Sequence, residues 1–334
     1  MIQTDILIIG AGPCGLFTVF EAGLLKMRCH LIDALPMAGG QLTEIYPKKP
    51  IYDIPGLPEV QAMDLVRNLL EQINPFNPGF TLGERAEEIS QDEHHHFIIK
   101  TNRGTLLKAP VIIIAGGLGS FEPRKPPIPH LSSFEDLGVD YIIRDPEKFR
   151  GQRILIAGGG DSALDWTIAL AEIAASMTLV HRRSEFRGAP ESVDKIYKLQ
   201  ADKKLNIITE AEVIELKGIQ KLESIVLNIH QGNSMEIDID YFIPLFGLSP
   251  KLGPMNHWGL DIEHHAIKVN TYDYSSNIPG IFAVGDINTY PGKLKLILCG
   301  FHEATLAVQG AYKILHQGKK PSFKYTTVTG ITKL

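Results

Sequence analysis

One pattern occurs twice along the chain: a short apolar run, a glycine turn of the form Gly-x-Gly-x-x-Gly or Gly-x-Gly-x-x-Ala, a helical stretch, then a second apolar run. The length of 334 residues suits about two domains of roughly 150. Pro-rich crossings flank the second copy. Together these observations predict an α/β fold of two nucleotide-binding, Rossmann-like three-layer ββα domains, the second inserted into the first. Residues 1–117 and 250–334 are expected to form one domain with a C-terminal tail, and residues 118–249 the other.

The first copy opens with Ile6–Ile9, an uninterrupted apolar run of the kind that forms a strand buried on both faces. Gly10, Gly12 and Gly15 come next, then apolar residues at helical spacing from Leu16 to Leu25. The strand Cys29–Asp33 ends in an acid and completes a β-α-β unit. A hairpin is expected around Asp92 to Thr105, then a strand starting at Val111. The Pro-rich stretch Phe121 to Pro129 reads as a linker. The second copy comprises a strand from Arg153, Gly158, Gly160, Asp161 and Ala163 in the turn, a helix from Leu164 to Ala175, and the strand Met177–His181. Further strands are expected near Asn206, Ser224 and Tyr241, with a second crossing at Ser249-Pro250. The remainder carries Ile281-Phe-Ala-Val-Gly-Asp286 and a helix from about Gly300 to His316.

Composition narrows the function. The content of 44% hydrophobic and 21% charged residues is that of a globular chain, which argues against disorder and coiled coil. A net charge of -5 gives no global attraction to nucleic acid or anionic lipid, so any anion site must be local. Cys14, Cys29 and Cys299 form no Cys-x-x-Cys pair. With no signal-like start and no apolar run of ~20 residues, a soluble cytoplasmic protein is expected, with neither nucleic acid nor membrane as partner.

The two turns differ in the residues downstream of them. After the first, Asp33 is placed to accept hydrogen bonds from a ribose hydroxyl. After the second, where an acid would stand, the chain reads His181-Arg-Arg-Ser-Glu-Phe-Arg187. A carboxylate there would repel a 2′-phosphate, whereas Arg182, Arg183 and Arg187 offer it forked, charge-assisted hydrogen bonds. The first turn therefore reads as a plain-ribose dinucleotide site and the second as an NADP site. FAD plus NADP(H) is the simplest pairing.

Asp33, Gly39-Gly-Gln-Leu, Tyr46-Pro, Gly158-Gly-Gly-Asp-Ser-Ala, His181-Arg-Arg-x-x-Phe-Arg and Gly285-Asp286 together resemble the thioredoxin-reductase-like flavoproteins over essentially the whole chain. Thioredoxin reductases carry a redox-active Cys-x-x-Cys shortly before the second fingerprint, and residues 141–153 contain no cysteine. The chain most resembles the branch that lacks this pair, the ferredoxin/flavodoxin:NADP+ reductases. That branch adds a C-terminal extension whose aromatic or histidine covers the flavin; residues 320–334, with Tyr325 and Thr327, match it. The resemblance implies that Asp33, Gln41, Tyr46, Ala86, Phe121, Asp286 and Thr327 contact FAD. It also implies ferredoxin or flavodoxin as partner, and a homodimer.

Tyr46 and Tyr325 then have two readings: ordinary packing, or stacking on opposite faces of the isoalloxazine to exclude water. Asp286 is either a turn aspartate or an acceptor for ribityl hydroxyls. Lys48 and Lys49 are either a solvated loop or a docking contact for an acidic carrier. The histidine runs at His94 and His264 read as exposed turns, and no metal is expected. Two other functions stay open: an NADPH-dependent flavin oxidase or quinone or dye reductase, and an FAD-bound redox sensor without turnover.

Overall fold

The computed structural model describes residues 1–47, 49–119, 122–229, 232–249, 251–319 and 330. Among these, six α-helices form: α1 (Pro13–Leu24), α2 (Gln41–Glu44), α3 (Ala62–Ile73), α4 (Asp161–Ala171), α5 (Pro190–Ala201) and α6 (Ile297–Leu315). The chain divides into two units, Met1–Phe121 with Pro250–Leu334, and Glu122–Ser249.

The first unit is built on a five-stranded parallel sheet ordered Ile281–Ala283, Val111–Ile114, Ile6–Ile9, Cys29–Asp33, Gly79–Leu82. Side chains alternate across a strand, so an all-apolar strand supplies two cores. Ile6, Ile8, Val111 and Ile113 pack with α1, α3 and α6. Leu7, Ile9, Ile112 and Ile114 point the other way and pack with Phe97, Ile99 and Leu107 of a second, four-stranded sheet. These are the three layers that the continuous apolar runs encode.

The second unit repeats the plan with a parallel sheet ordered Asn206–Thr209, Ser176–His181, Arg153–Ala157, Tyr241–Pro244. An antiparallel sheet of Ala211–Lys217, Ser224–Ile229 and Asn233–Asp238 covers one face, with Leu155, Val180 and Phe242 packed against Leu216, Ile225 and Leu227.

Several local expectations need correction. The hairpin at 92–105 is part of a meander, Ala86–Gln91, Phe97–Thr101 and Leu106–Ala109, with reversals at Asp92 and Asn102. The helix expected from Leu164 to Ala175 runs Asp161–Ala171, because Asp161 is already helical and Ile173 and Ala174 close the end by bonding to the Leu170 carbonyl. The linker at Phe121 to Pro129 contains a short strand, Glu122–Pro123, laddered antiparallel to Leu248–Ser249. The last helix starts at Ile297, three residues before Gly300.

Candidate functional site: two glycine turns

In the first unit the Ile6–Ile9 strand delivers the chain into a turn that only glycine can make. Gly10 has φ +109, and a Cβ there would lie 2.3 Å from the Ala115 carbonyl oxygen. A Cβ on Gly15 would lie 2.0 Å from the Gly10 oxygen, so Gly15 lets α1 close onto the strand. Gly12 differs: nothing but the Gly40 Cα, at 4.0 Å, faces its missing side chain. The Gly39 N–H donates to the Ala11 carbonyl at 2.8 Å, so two glycine turns lie backbone to backbone. Gly12 caps α1 without a side-chain bond, leaving its amino end uncapped by the protein's own side chains.

Asp33 lies beside this slot. Its Oδ2 accepts the Ala11 N–H at 2.7 Å and its Oδ1 the Leu35 N–H at 2.9 Å, which fixes the carboxylate and leaves further lone pairs for a hydroxyl. Burial raises the carboxyl pKa, and these two donors oppose the rise. The Glu84 N–H donates to the Asp33 carbonyl at 3.0 Å, bringing in the segment that leads to Ala86, 5% exposed at the start of its strand. Gln41 opens α2 with its amide 3.3 Å from where a Gly117 Cβ would stand.

At the other end, Tyr46 and Asp286 come within electrostatic reach of one another. Burial, then the Asp286 charge, pushes the Tyr46 phenol up to about 12. Burial likewise raises Asp286, opposed by the Lys293 and Lys295 ammoniums. Cys14, half-buried, sits here with its Sγ against Gly285 and Gly300. Burial, then the charges of Asp286 and Glu303, pushes its thiol to about 12, with Lys293 opposing. The first unit thus gathers Gly10, Gly12, Gly15, Asp33, Gln41, Tyr46, Ala86 and Asp286. Phe121, Tyr325, Thr327 and Lys48 lie outside the described residues.

The second turn is built the same way. A Cβ on Gly158 would meet the Ala163 Cβ at 2.7 Å, Gly160 faces open space, and α4 has no side-chain cap. The basic loop is laid over this turn by two bonds. The Arg187 N–H donates to the Gly159 carbonyl at 2.7 Å, and the Ala189 N–H to Asp161 Oδ1 at 2.7 Å. Asp161 therefore holds the loop, whatever else it contacts. His181, buried, fills the space of Gly159's absent side chain, and its Nε2 lies 3.1 Å from the Glu185 carbonyl. Burial lowers the imidazole pKa, and the Arg187, Arg183 and Arg182 charges add to the lowering. Those three arginines are exposed, and none has an acidic partner among the described residues.

Both slots fit the groups the sequence suggested. The first, lined by backbone with an uncapped helix end and a fixed carboxylate, suits the pyrophosphate and ribose of FAD; the second, with three exposed guanidiniums that have no acidic partner among the described residues, suits the 2′-phosphate of NADP(H). Sequence reasoning missed Glu303, Lys293, Asn288 and Tyr290, which form a buried network behind Asp286. The signal was available: on α6 the buried positions are Gly300, Glu303, Ala304, Ala307, Val308, Gly310 and Ala311, a stripe of small and apolar residues in which a glutamate is out of place. Among the described residues, no three His, Cys, Asp or Glu side chains group to hold a metal, and no helix is long and apolar enough to cross a membrane.

A chain with two such turns on two three-layer units, one suited to a plain ribose and one to a phosphorylated ribose, is a two-dinucleotide oxidoreductase. The family model for pyridine nucleotide-disulphide oxidoreductases matches residues 4–311. The chain belongs to that family. It is 63% identical to "Ferredoxin--NADP reductase 1" of Christiangramia forsetii over 335 residues, covering 99% of this chain and 95% of that protein. It is 64% identical to "Ferredoxin--NADP reductase" of Flavobacterium johnsoniae over 332 residues, with the same coverage. Among solved structures, thioredoxin reductase of Lactococcus lactis matches with a TM-score of 0.81 at 27% identity, covering 94% of this chain and 99% of that one.

Proposed function

We propose that this protein is an FAD-dependent oxidoreductase that passes electrons between NADPH and ferredoxin or flavodoxin. The observation that carries the reading is the asymmetry of the two turns. A fixed carboxylate stands after the first, three exposed arginines stand after the second, and no Cys-x-x-Cys lies anywhere in the chain. The relatives at 60% identity and above support it by their names.

In this reading the unit of Met1–Phe121 and Pro250–Leu334 takes FAD through Gly10, Gly12, Gly15, Asp33, Gln41, Tyr46, Ala86, Phe121, Asp286 and Thr327. Glu122–Ser249 takes NADPH through Gly158, Gly160, Asp161, Ala163, Arg182, Arg183 and Arg187. Bound FAD supplies the step between two-electron and one-electron chemistry. The protein's own work is to bind, orient and shield. Tyr46 would shield the bound flavin from water, as would Tyr325, which lies outside the described residues. Asp33 and Asp286 would accept hydrogen bonds from hydroxyls of the cofactor. The raised pKa of Tyr46 keeps its phenol protonated through the physiological range, so it stays neutral beside Asp286. A cytoplasmic homodimer completes the proposal, on the strength of the family resemblance, and light scattering of the purified holoprotein tests the dimer.

The deciding experiment is steady-state NADPH oxidation with purified ferredoxin and flavodoxin, set beside ferricyanide, quinone and O2. Rapid reduction of a carrier protein is expected. Dye or quinone reduction with neither carrier reduced sinks the carrier assignment in favour of a dye or quinone reductase, and bound flavin that NADPH fails to reduce indicates a sensor.

A further inference from the structure

We propose that Glu303 is a positioning residue of the flavin site: one buried carboxylate gathers Gly285, Asn288, Tyr290 and Lys293, and so fixes the loop that carries Asp286. The inference rests on the reading above, in which Asp286 contacts FAD.

The geometry is convergent. Glu303 lies on α6 and has no exposed surface. Its Oε2 accepts the Gly285 N–H at 2.7 Å and the Asn288 side-chain amide at 2.8 Å. Its Oε1 accepts the Tyr290 hydroxyl at 2.8 Å and the Lys293 ammonium at 2.5 Å. Lys293, whose side chain is 7% exposed, also donates to the Gly285 carbonyl at 2.9 Å. The residue immediately before Asp286 is therefore gripped at both its N–H and its C=O by one ion pair. Asn288 ties the far side, donating to the Ala283 carbonyl at 2.8 Å as well as to Glu303. Lys293 is further held 5.4 Å from the centroid of the Tyr290 ring. Each of these ties along Ala283 to Lys293 ends on that single carboxylate or on a group it holds.

A wholly buried ion pair gives little net stability over an apolar pair of the same shape, so stability alone does not account for it. What it supplies is a fixed address. It also sets a local balance of charge: Lys293 acts on Asp286 as a cation, and Glu303 acts as an anion that offsets it.

The test is a double-mutant cycle on FAD release from the holoprotein, monitored by the rise in flavin fluorescence. Asp286→Asn and the paired replacement Glu303→Gln with Lys293→Met, which leaves no unpaired buried charge, are each expected to speed release by about 10- to 100-fold. Because Glu303 acts through the loop, all three changes together should release FAD no more than about twofold faster than Asp286→Asn alone. A second readout is the midpoint potential of the bound flavin. Glu303→Gln alone should raise it, by leaving the ammonium uncompensated, and Lys293→Met alone should lower it. Wild-type release from the paired variant, or fully additive effects in the triple variant, overturns the proposal; so does a potential that neither single change moves. Wild-type release from Asp286→Asn defeats the flavin-site reading itself, and the inference with it.

Discussion

Replacing Arg182 and Arg187 with alanine tests the assignment of the second turn directly. Both guanidiniums are exposed and have no acidic partner among the described residues, so their removal breaks no ion pair among those residues. The loop that carries them is held by backbone, through the Arg187 N–H to Gly159 and the Ala189 N–H to Asp161, and those bonds survive the substitution. The loss is therefore confined to ligand contacts. A hydrogen bond to a charged group is worth roughly 1.5–3 kcal/mol, and solvent screening of exposed groups favours the lower end. Two such contacts at about 1.4 kcal/mol per factor of ten give a rise in KM for NADPH of roughly 100-fold. NADH lacks the 2′-phosphate, and its KM should change by less than about threefold. Steady-state reduction of ferricyanide with each nucleotide measures both, and the NADPH effect should shrink as salt rises. Equal losses for NADPH and NADH would falsify the 2′-phosphate argument.

The first two glycines of the first turn should part company on mutation. Gly10→Ala, at φ +109 with the Ala115 oxygen 2.3 Å from the new methyl, should cost more than about 2 kcal/mol of stability, read as a lower melting temperature. Gly12→Ala meets nothing nearer than the Gly40 Cα at 4.0 Å and should fold normally but purify with little flavin; full flavin content would show that the slot is not the cofactor's. His181 makes stability fall with acid. Its folded pKa is lowered by burial, so the stabilisation is whole above the unfolded value of ~6.5 and is lost as pH falls through the lowered one, where the unfolded chain binds the extra proton. Melting curves across that window should be steeper in pH for the native protein than for His181→Gln; identical slopes would refute the assignment. Cys14, its thiol pushed to about 12, should resist iodoacetamide near pH ~8 in the folded protein and react once unfolded in urea, as peptide mass spectrometry can read; prompt labelling of the native form contradicts the packing against Gly285 and Gly300.

Much of the first turn was legible in the chain because its elements are local. Ile6–Ile9, the three glycines, α1 and the terminal Asp33 lie within one short stretch, and each carries its own signal of apolar run, turn or acid. The arginine cluster was legible for the same reason. What the sequence concealed is long-range. The meander of Ala86–Gln91, Phe97–Thr101 and Leu106–Ala109 read as one hairpin because its strands are short and only partly apolar, so their partners are chosen by Leu7, Ile9 and Ile112 across the layer boundary. Glu303 stands out in the apolar stripe of α6 as a misplaced acid, but the groups it binds lie 10–18 positions upstream, and the helix does not name them. The loop over Gly159 depends on His181 turning inward, a choice set by burial rather than by spacing.

The short ladder of Glu122–Pro123 with Leu248–Ser249 has a further consequence. The guest segment leaves and returns through two ends already laced to each other, and the host does likewise where the Lys251 N–H meets the Leu118 carbonyl at 3.1 Å. Each half is thus topologically complete at its own seam, as a bead is complete whether or not it is strung. A peptide of a few residues joining Ser249 to Glu122, or Leu118 to Lys251, would bridge ends that are already neighbours. This arrangement makes exchange of the inserted unit between related chains a matter of cutting at one doorway rather than redesigning two.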